Sequence, residues 1–166
     1  MERDFVDDVL DQWRAQRPDL DPAPLSVLAR LTRIARRVTR RLDETLKGYG
    51  VLHADLDILA TLRRAGAPYE LTLSEIARWM LAGNSTMTSR LDRLVAAGLV
   101  DRKQNPANRR TALIRLTPAG LALVDEAVAV ELAEQEKLVS GLSGEDQREL
   151  ADLLRRLCRS MGEIPD

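Results

Sequence analysis

In the stretch "DRKQNPANRRTALIRLT", Asp101 to Thr117, six polar or turn-forming residues, Gln104 to Arg109, separate two short runs that read as strands. A pair of arginines, Arg109 and Arg110, sits at the far end of that turn. Arginine suits the narrow, A·T-rich minor groove of DNA, where negative potential is concentrated. A solvated turn would explain the polarity of the tip but not the clustering of both arginines on it. A second group of residues lies just upstream, in "NSTMTSRLDRLVAAG". Ser85, Thr86, Thr88 and Ser89 are small and carry hydroxyls, which allow close approach to groove walls and bond base edges or phosphates. Asn84 or Ser85 is the expected N-cap, and a helix N-terminus offers free N–H groups to a phosphate. Arg93, two turns in, is placed for a phosphate or for a carboxylate of the same chain. Hydroxyls at a helix start can also serve as caps alone.

These residues need elements to hold them. "TLSE", Thr72 to Glu75, has the spacing of a capping box and opens a short helix, "SEIARWML", expected to close at Gly83. A new helix follows within a few residues and ends at Gly98, with Met87, Leu91, Leu94 and Val95 as its core stripe. Two helices joined by a short glycine-containing turn form a helix-turn-helix. "LVDRK" and "TALIRLT" are the strands of a hairpin, the second with Ala112, Ile114 and Leu116 on one face. Thr117 caps the next helix, with Pro118 at its first position.

Helices flank this centre. "RDFVDDVLDQWRAQ" is a short amphipathic helix ended by Pro18, and the proline-rich "RPDLDPAP" is a linker. A long helix then carries Leu25, Leu28, Leu31, Ile34, Val38 and Leu42 on one stripe, and Gly48 and Gly50 suit its C-cap. A third helix spans about Ala54 to Arg64, with Gly66 as its stop. After Pro118 come two more helices, the second opened by a capping signal at "SGED", Ser143 to Asp146. The expected fold is mainly α: a winged helix-turn-helix, residues 51–117, between N-terminal helices (1–50) and C-terminal helices (118–166) in one domain.

Composition agrees. The 166 residues are 45% hydrophobic but only 3% aromatic, as for an aliphatic helical core, and the net charge is −1. That average conceals a segregation. From Ser74 to Thr117 eight basic residues face three acids, giving +5 there and −6 elsewhere. Charge footprint matters more than total charge for nucleic-acid binding. The single cysteine, Cys158, allows neither an intramolecular disulfide nor a thiolate metal cluster within one chain. The one histidine, His53, reads as the start of the third helix, and no nucleophile, metal or phosphate-loop motif supports an enzyme or a cofactor. The acidic N-terminus is no leader peptide, and no segment has the roughly 18 apolar residues of a membrane span. A cytoplasmic protein is expected.

The stretch from Leu71 to Gly120 closely resembles the multiple-antibiotic-resistance regulator (MarR) family, whose pattern combines "L..L..KGLV.R", an Asp-x-Arg wing tip and "LT..G". The resemblance implies homodimeric, ligand-responsive transcription factors, by family default repressors, with the recognition helix in the major groove and the wing in the minor groove. The wing-tip arginine falls on Arg110, with Arg109 beside it. The usual wing aspartates are replaced by Asn105 and Asn108, so Asn108 can offer Arg110 only a neutral bond. A homodimer also follows from the terminal helices, whose apolar stripes, "LLRRLC" and "FVDDVL" among them, have little else to cover them. Two recognition helices about 34 Å apart would read a pseudo-palindrome.

The extra N-terminal helix with its Trp is similar to the urate-responsive branch of this family, which implies a pocket between the DNA-binding lobe and the dimerisation helices. Matched by position, that branch points to Trp13, Asp57 and Arg90. An indole can stack on a planar heterocycle, an arginine can pair with an anionic one, and an aspartate can accept from ring N–H groups. Arg63, seven after Leu56 and four after Leu59, is a fourth candidate. Plainer roles exist for three of these: Trp13 as the largest core residue of its helix, Asp57 on a solvated face with Thr61 and Arg64, and Arg90 as a phosphate contact. Two further readings compete, a redox sensor acting through Cys158 and a winged-helix adaptor that binds protein instead of specific DNA.

Overall fold

The computed structural model describes residues 3–81, 87–106, 108 and 110–162. Seven α-helices and three strands are assigned among them, in two units that divide at Glu44 and Thr45.

In the first unit, α1 (Phe5–Gln16) is started by Asp4, whose side chain accepts from the N–H groups of Val6 and Asp7 in a capping box. It lies against α2 (Ala23–Leu46) through Arg30, whose Nη2 reaches Asp4 and Asp7 at 2.8 Å each. The Arg33 guanidinium stands 4.6 Å from the centre of the Phe5 ring, a cation–π contact. Of the expected α2 stripe, Leu42 is buried, while Leu25, Leu28 and Ile34 are exposed. The helix passes through a 3-10 turn, Lys47–Tyr49, before Gly50 at φ 70°, so Gly50 and not Gly48 supplies the left-handed residue.

The second unit begins with α3 (His53–Arg64), whose Leu56, Ile58, Leu59 and Leu62 are fully buried and form the centre of its core. A strand that the sequence reading missed, β1 (Glu70–Thr72), leads into α4 (Leu73–Trp79). The Thr72–Glu75 capping box is present. α4 ends earlier than expected: Met80 is already extended, at ψ 143°. The Leu81 N–H, which a continuing helix would give to the carbonyl four residues back, instead donates to Asp57 Oδ2 at 2.7 Å.

α5 (Met87–Ala96) turns Met87, Leu91 and Leu94 into the core; Val95 is 37% exposed, a correction to its place in that stripe. Then β2 (Val100–Gln104) and β3 (Ala112–Leu116) pair antiparallel, with Asp101 opposite Arg115 and Lys103 opposite Leu113. β1 adds on the other side of β3, Leu71 opposite Ile114, giving the order β1-β3-β2. Ile114 and Leu116 point inward as the alternation requires, whereas Ala112 is exposed at the wing end.

α6 (Pro118–Val139) starts as expected, with the Thr117 hydroxyl accepting from Gly120 N–H at 3.0 Å and donating to Gly98 O at 2.7 Å. Gly120 is required sterically: a Cβ there would stand 2.0 Å from the Leu99 carbonyl oxygen. α6 packs on α3, where His53 Nδ1 meets Glu131 Oε1 at 2.5 Å. α7 (Gly144–Ser160) is opened by the Ser143–Asp146 capping box and buries none of its residues in the single chain. No helix is long and apolar enough to cross a membrane among the described residues.

Candidate nucleic-acid interface

The outward face of α5 follows from its inward one. With Met87, Leu91 and Leu94 buried, Thr88 and Ser89 are carried to the exposed side. Asn84, Ser85 and Thr86, expected to complete this face, lie outside the described residues, as does Arg109.

Beside α5 the wing is braced at both ends. Near its base, Arg102 Nη2 on β2 bonds Asp92 Oδ1 on α5 at 2.6 Å. At the tip, Asn105 N–H donates to Thr111 O at 3.2 Å and the Asn105 amide reaches the Thr111 hydroxyl at 3.1 Å. Asn108 Oδ1 accepts from the backbone N–H of Arg110 at 3.0 Å, and Asn108 O accepts from Thr111 N–H at 3.0 Å. The asparagine therefore shapes the turn that carries Arg110, through its backbone and not through the guanidinium, as an Asx turn does. Thr88 and Arg110 line the same cleft of about 580 Å³, which also takes in Ser74 of α4 and Arg102 and Thr111 of the wing. Leu73, Ala77, Leu91, Ala112 and Ile114 make most of the cleft's lining apolar, and the two arginines and the hydroxyls of Thr72, Ser74, Thr88 and Thr111 are set among them.

Behind this surface, α3 carries two buried acids two residues apart. Asp55 is 5% exposed and accepts from Arg90 Nη1 at 3.3 Å and from Arg93 Nη2 at 3.0 Å. Arg93 thus meets the intramolecular carboxylate that its position allowed, while its side chain stays 54% exposed. Asp57 is also buried, as is Thr61, so the solvated face suggested for this part of α3 does not exist. Asp57 holds the turn after α4 through Leu81, and Arg64 Nη2 approaches it at 3.9 Å while bonding Thr61 Oγ1 and Trp79 O. Arg63 instead turns to α6, bonding Asp125 Oδ1 at 2.7 Å, a pairing that raises its pKa.

Of the four candidate ligand residues, three lie in the second unit and Trp13 in the first. Asp57, Arg63 and Arg90 each engage a different partner. Trp13 belongs to the first unit, where it is 47% exposed beside Leu20, Pro22 and Leu25, and so is no core residue of its helix. Asp55 was missed by sequence reasoning; an acid in the first turn of a helix reads as a favourable dipole contact and nothing in the local pattern announces partners 35 and 38 residues away. Among the described residues no group of His, Cys, Asp and Glu could hold a metal ion.

A winged helix-turn-helix with an exposed hydroxyl face and a basic wing is the architecture of a DNA-binding regulator. The MarR family model matches residues 53–112, from the start of α3 to the first residue of β3. The transcriptional regulator PecS of Dickeya dadantii is 40% identical over 152 residues, covering 92% of each chain. Among solved structures, BpsR of Bordetella bronchiseptica, whose DNA binding is regulated by 6-hydroxynicotinic acid, is 27% identical with a TM-score of 0.71 over 79% of this chain and 91% of its own. Sco3205 of Streptomyces coelicolor, solved in complex with DNA, shares the fold at 21% identity, with a TM-score of 0.75 over 85% of this chain and 89% of its own. The chain belongs to the MarR family: it is a DNA-binding transcription regulator.

Proposed function

We propose that the protein acts as a homodimer that reads a pseudo-palindromic operator and represses from it, with α5 in the major groove and the wing in the minor groove. The observation that carries this reading is the shared cleft of Thr88 and Arg110, which sets a small hydroxyl residue of the helix beside the wing-tip cation. On this proposal Asn84, Ser85, Thr86, Thr88 and Ser89 read bases or bind phosphates, Arg93 takes a phosphate, and Arg109 and Arg110 occupy the minor groove. Dimerisation is supported by the exposed aliphatic residues of α2, α6 and α7, including Ile34, Leu132 and Leu153. In a dimer these would leave water together, which is the main driving force of association. Two lobes then bind half-sites one helical turn apart.

The effector in this proposal is a small aromatic or carboxylate anion such as urate. The structural neighbour BpsR, whose DNA binding is regulated by a planar hydroxylated heteroaromatic acid, supports that class. Arg90 lies on the recognition helix itself, so an anion that takes it competes with Asp55 for it and disturbs α5 directly, while Asp57 bonds the turn after α4. Trp13 enters as the stacking group through the family resemblance alone, and Arg63 as a flanking cation.

The test is Arg110→Ala. It should weaken binding to every sequence and lower the salt dependence, by a slope of about 0.9 for each phosphate that the variant no longer neutralises. Unchanged affinity would reject the wing's role. A protein-binding adaptor would show no steep fall of DNA affinity with salt in the wild-type protein either.

A further inference from the structure

We propose that Asp55 is a positioning residue for DNA recognition: its buried carboxylate clamps α5 through Arg90 and Arg93 and aims the Arg93 guanidinium at the DNA. This rests on the DNA-binding reading above and assigns a role to a residue outside the expected interface. The core otherwise holds α5 through the apolar stripe Met87, Leu91 and Leu94. Apolar packing is non-directional, so it fixes the depth of a helix better than its rotation. Arg90 and Arg93 lie three apart on α5, on neighbouring turns of one face. One carboxylate held between them resists both rolling and sliding of the helix.

Burial makes the clamp strict. The side chains of Asp55 and Arg90 are 7% and 18% exposed, and Arg90 Nε is buried with no hydrogen-bond partner among the described residues. Among the described residues Asp55 is the acid that pairs with Arg90, and its removal leaves that pairing uncompensated. Arg93 differs. It reaches Asp55 through Nη2 and is more than half exposed, so the rest of its five-donor fork can face outward. The carboxylate thus holds one edge of the guanidinium and orients the other. A phosphate contact fixed in this way sets the register of α5 in the groove, and base readout by its neighbours fails when that register slips by a fraction of an ångström.

The sign of the effect separates positioning from charge. Asp55→Asn removes a negative charge from a DNA-binding lobe, and electrostatics alone would then tighten binding to any duplex. Positioning predicts the reverse for the operator. The probes are a duplex that the wild-type protein enriches from a random-sequence pool and a scrambled duplex of the same composition. In Asp55→Asn, affinity for the enriched duplex should fall while that for the scrambled one holds or rises, lowering their ratio about tenfold or more. Asp55→Glu, which keeps the charge, should recover part of the ratio. A ratio unchanged in an Asp55→Asn protein of wild-type helix content overturns the proposal, as does equal tightening on both duplexes.

Arg93→Gln keeps the test decisive if Asp55→Asn does not fold, because Arg93 is largely exposed. The clamp predicts a lower ratio together with a salt slope smaller by about 0.9 per protomer. A smaller slope with an unchanged ratio makes Arg93 a phosphate contact that does not set the register of α5, and overturns the clamp. If the wild-type protein enriches no sequence, the DNA-reading proposal itself fails and this inference falls with it.

Discussion

Gly120 joins the wing to the helix behind it, and Gly120→Ala is a sharp test of that joint. The glycine is the third residue of α6, and its N–H is held by the Thr117 hydroxyl at 3.0 Å. An added Cβ meets the Leu99 carbonyl oxygen at 2.0 Å and the Leu99 carbonyl carbon at 2.9 Å. Real Cβ contacts are 3.0 Å or more, so backbone must move by at least 1 Å, with no flexible side chain to yield. Leu99 O also accepts from Thr117 N–H at 3.1 Å, and Val100, the next residue, begins β2. The strain therefore falls on the root of the wing. Overpacking costs about 1–3 kcal/mol, and a backbone neighbour places this case near 3. For a chain of this length, that lowers Tm by about 6–12 °C, read by circular dichroism at fixed protein concentration. Gly144→Ala, where an added Cβ meets nothing within 4 Å, is the control and should leave Tm within a degree or two. A Gly120→Ala protein that melts with the wild type would refute the close-approach argument.

Three further outcomes follow from the same contacts. Thr72→Ala removes the hydroxyl that caps α4, which should cost about 1 kcal/mol by chemical denaturation. The Thr72 hydroxyl and N–H hold the Glu75 carboxyl below its ordinary pKa, and Arg30 and backbone N–H groups do the same for Asp4 and Asp7. A depressed folded pKa gives stability that is present above the ordinary carboxylate value near 4 and is lost as pH falls through the folded value. The attachment of α1 to α2 should accordingly loosen below about pH 4, whereas Arg30→Gln, which removes the ion pairs at every pH, should be looser already at neutral pH and change less on acidification, as followed by Trp13 fluorescence in a Trp79→Phe background. Thr88→Ala should alter the bases selected from a random pool more than the overall affinity, and an unchanged selection would remove Thr88 from base readout.

Much of the fold was legible because its signals are local. The capping boxes at Thr72 and Ser143 and the Thr117–Pro118 start are written within four residues each, and the second wing strand, β3, buries Ile114 and Leu116 in alternation as the pleat requires. What escaped is non-local. β1 has three residues and exists as a strand only because β3, over forty residues later, pairs with it. The early end of α4 is imposed by Asp57 from another helix, against an apolar sequence that would continue the turn. The same holds for the site. The hydroxyl face of α5 and the wing-tip Arg110 could be read from spacing, but Asp55 acquires its role only when α3 and α5 are packed together. The resemblance points to Asp57 as a ligand residue; in the fold it bonds the Leu81 N–H, and Asp55, two residues earlier, holds Arg90.

The most direct test is fluorescence anisotropy of a labelled duplex from upstream of the protein's own gene, titrated with the wild-type protein at two salt concentrations and then with urate. A complex should form on this duplex in preference to a scrambled one, weaken steeply as salt rises, and dissociate when urate is added. A complex that ignores urate would leave the DNA reading intact and return Trp13, Asp57, Arg63 and Arg90 to structural roles. Affinity that depends on neither sequence nor salt would contradict the central claim.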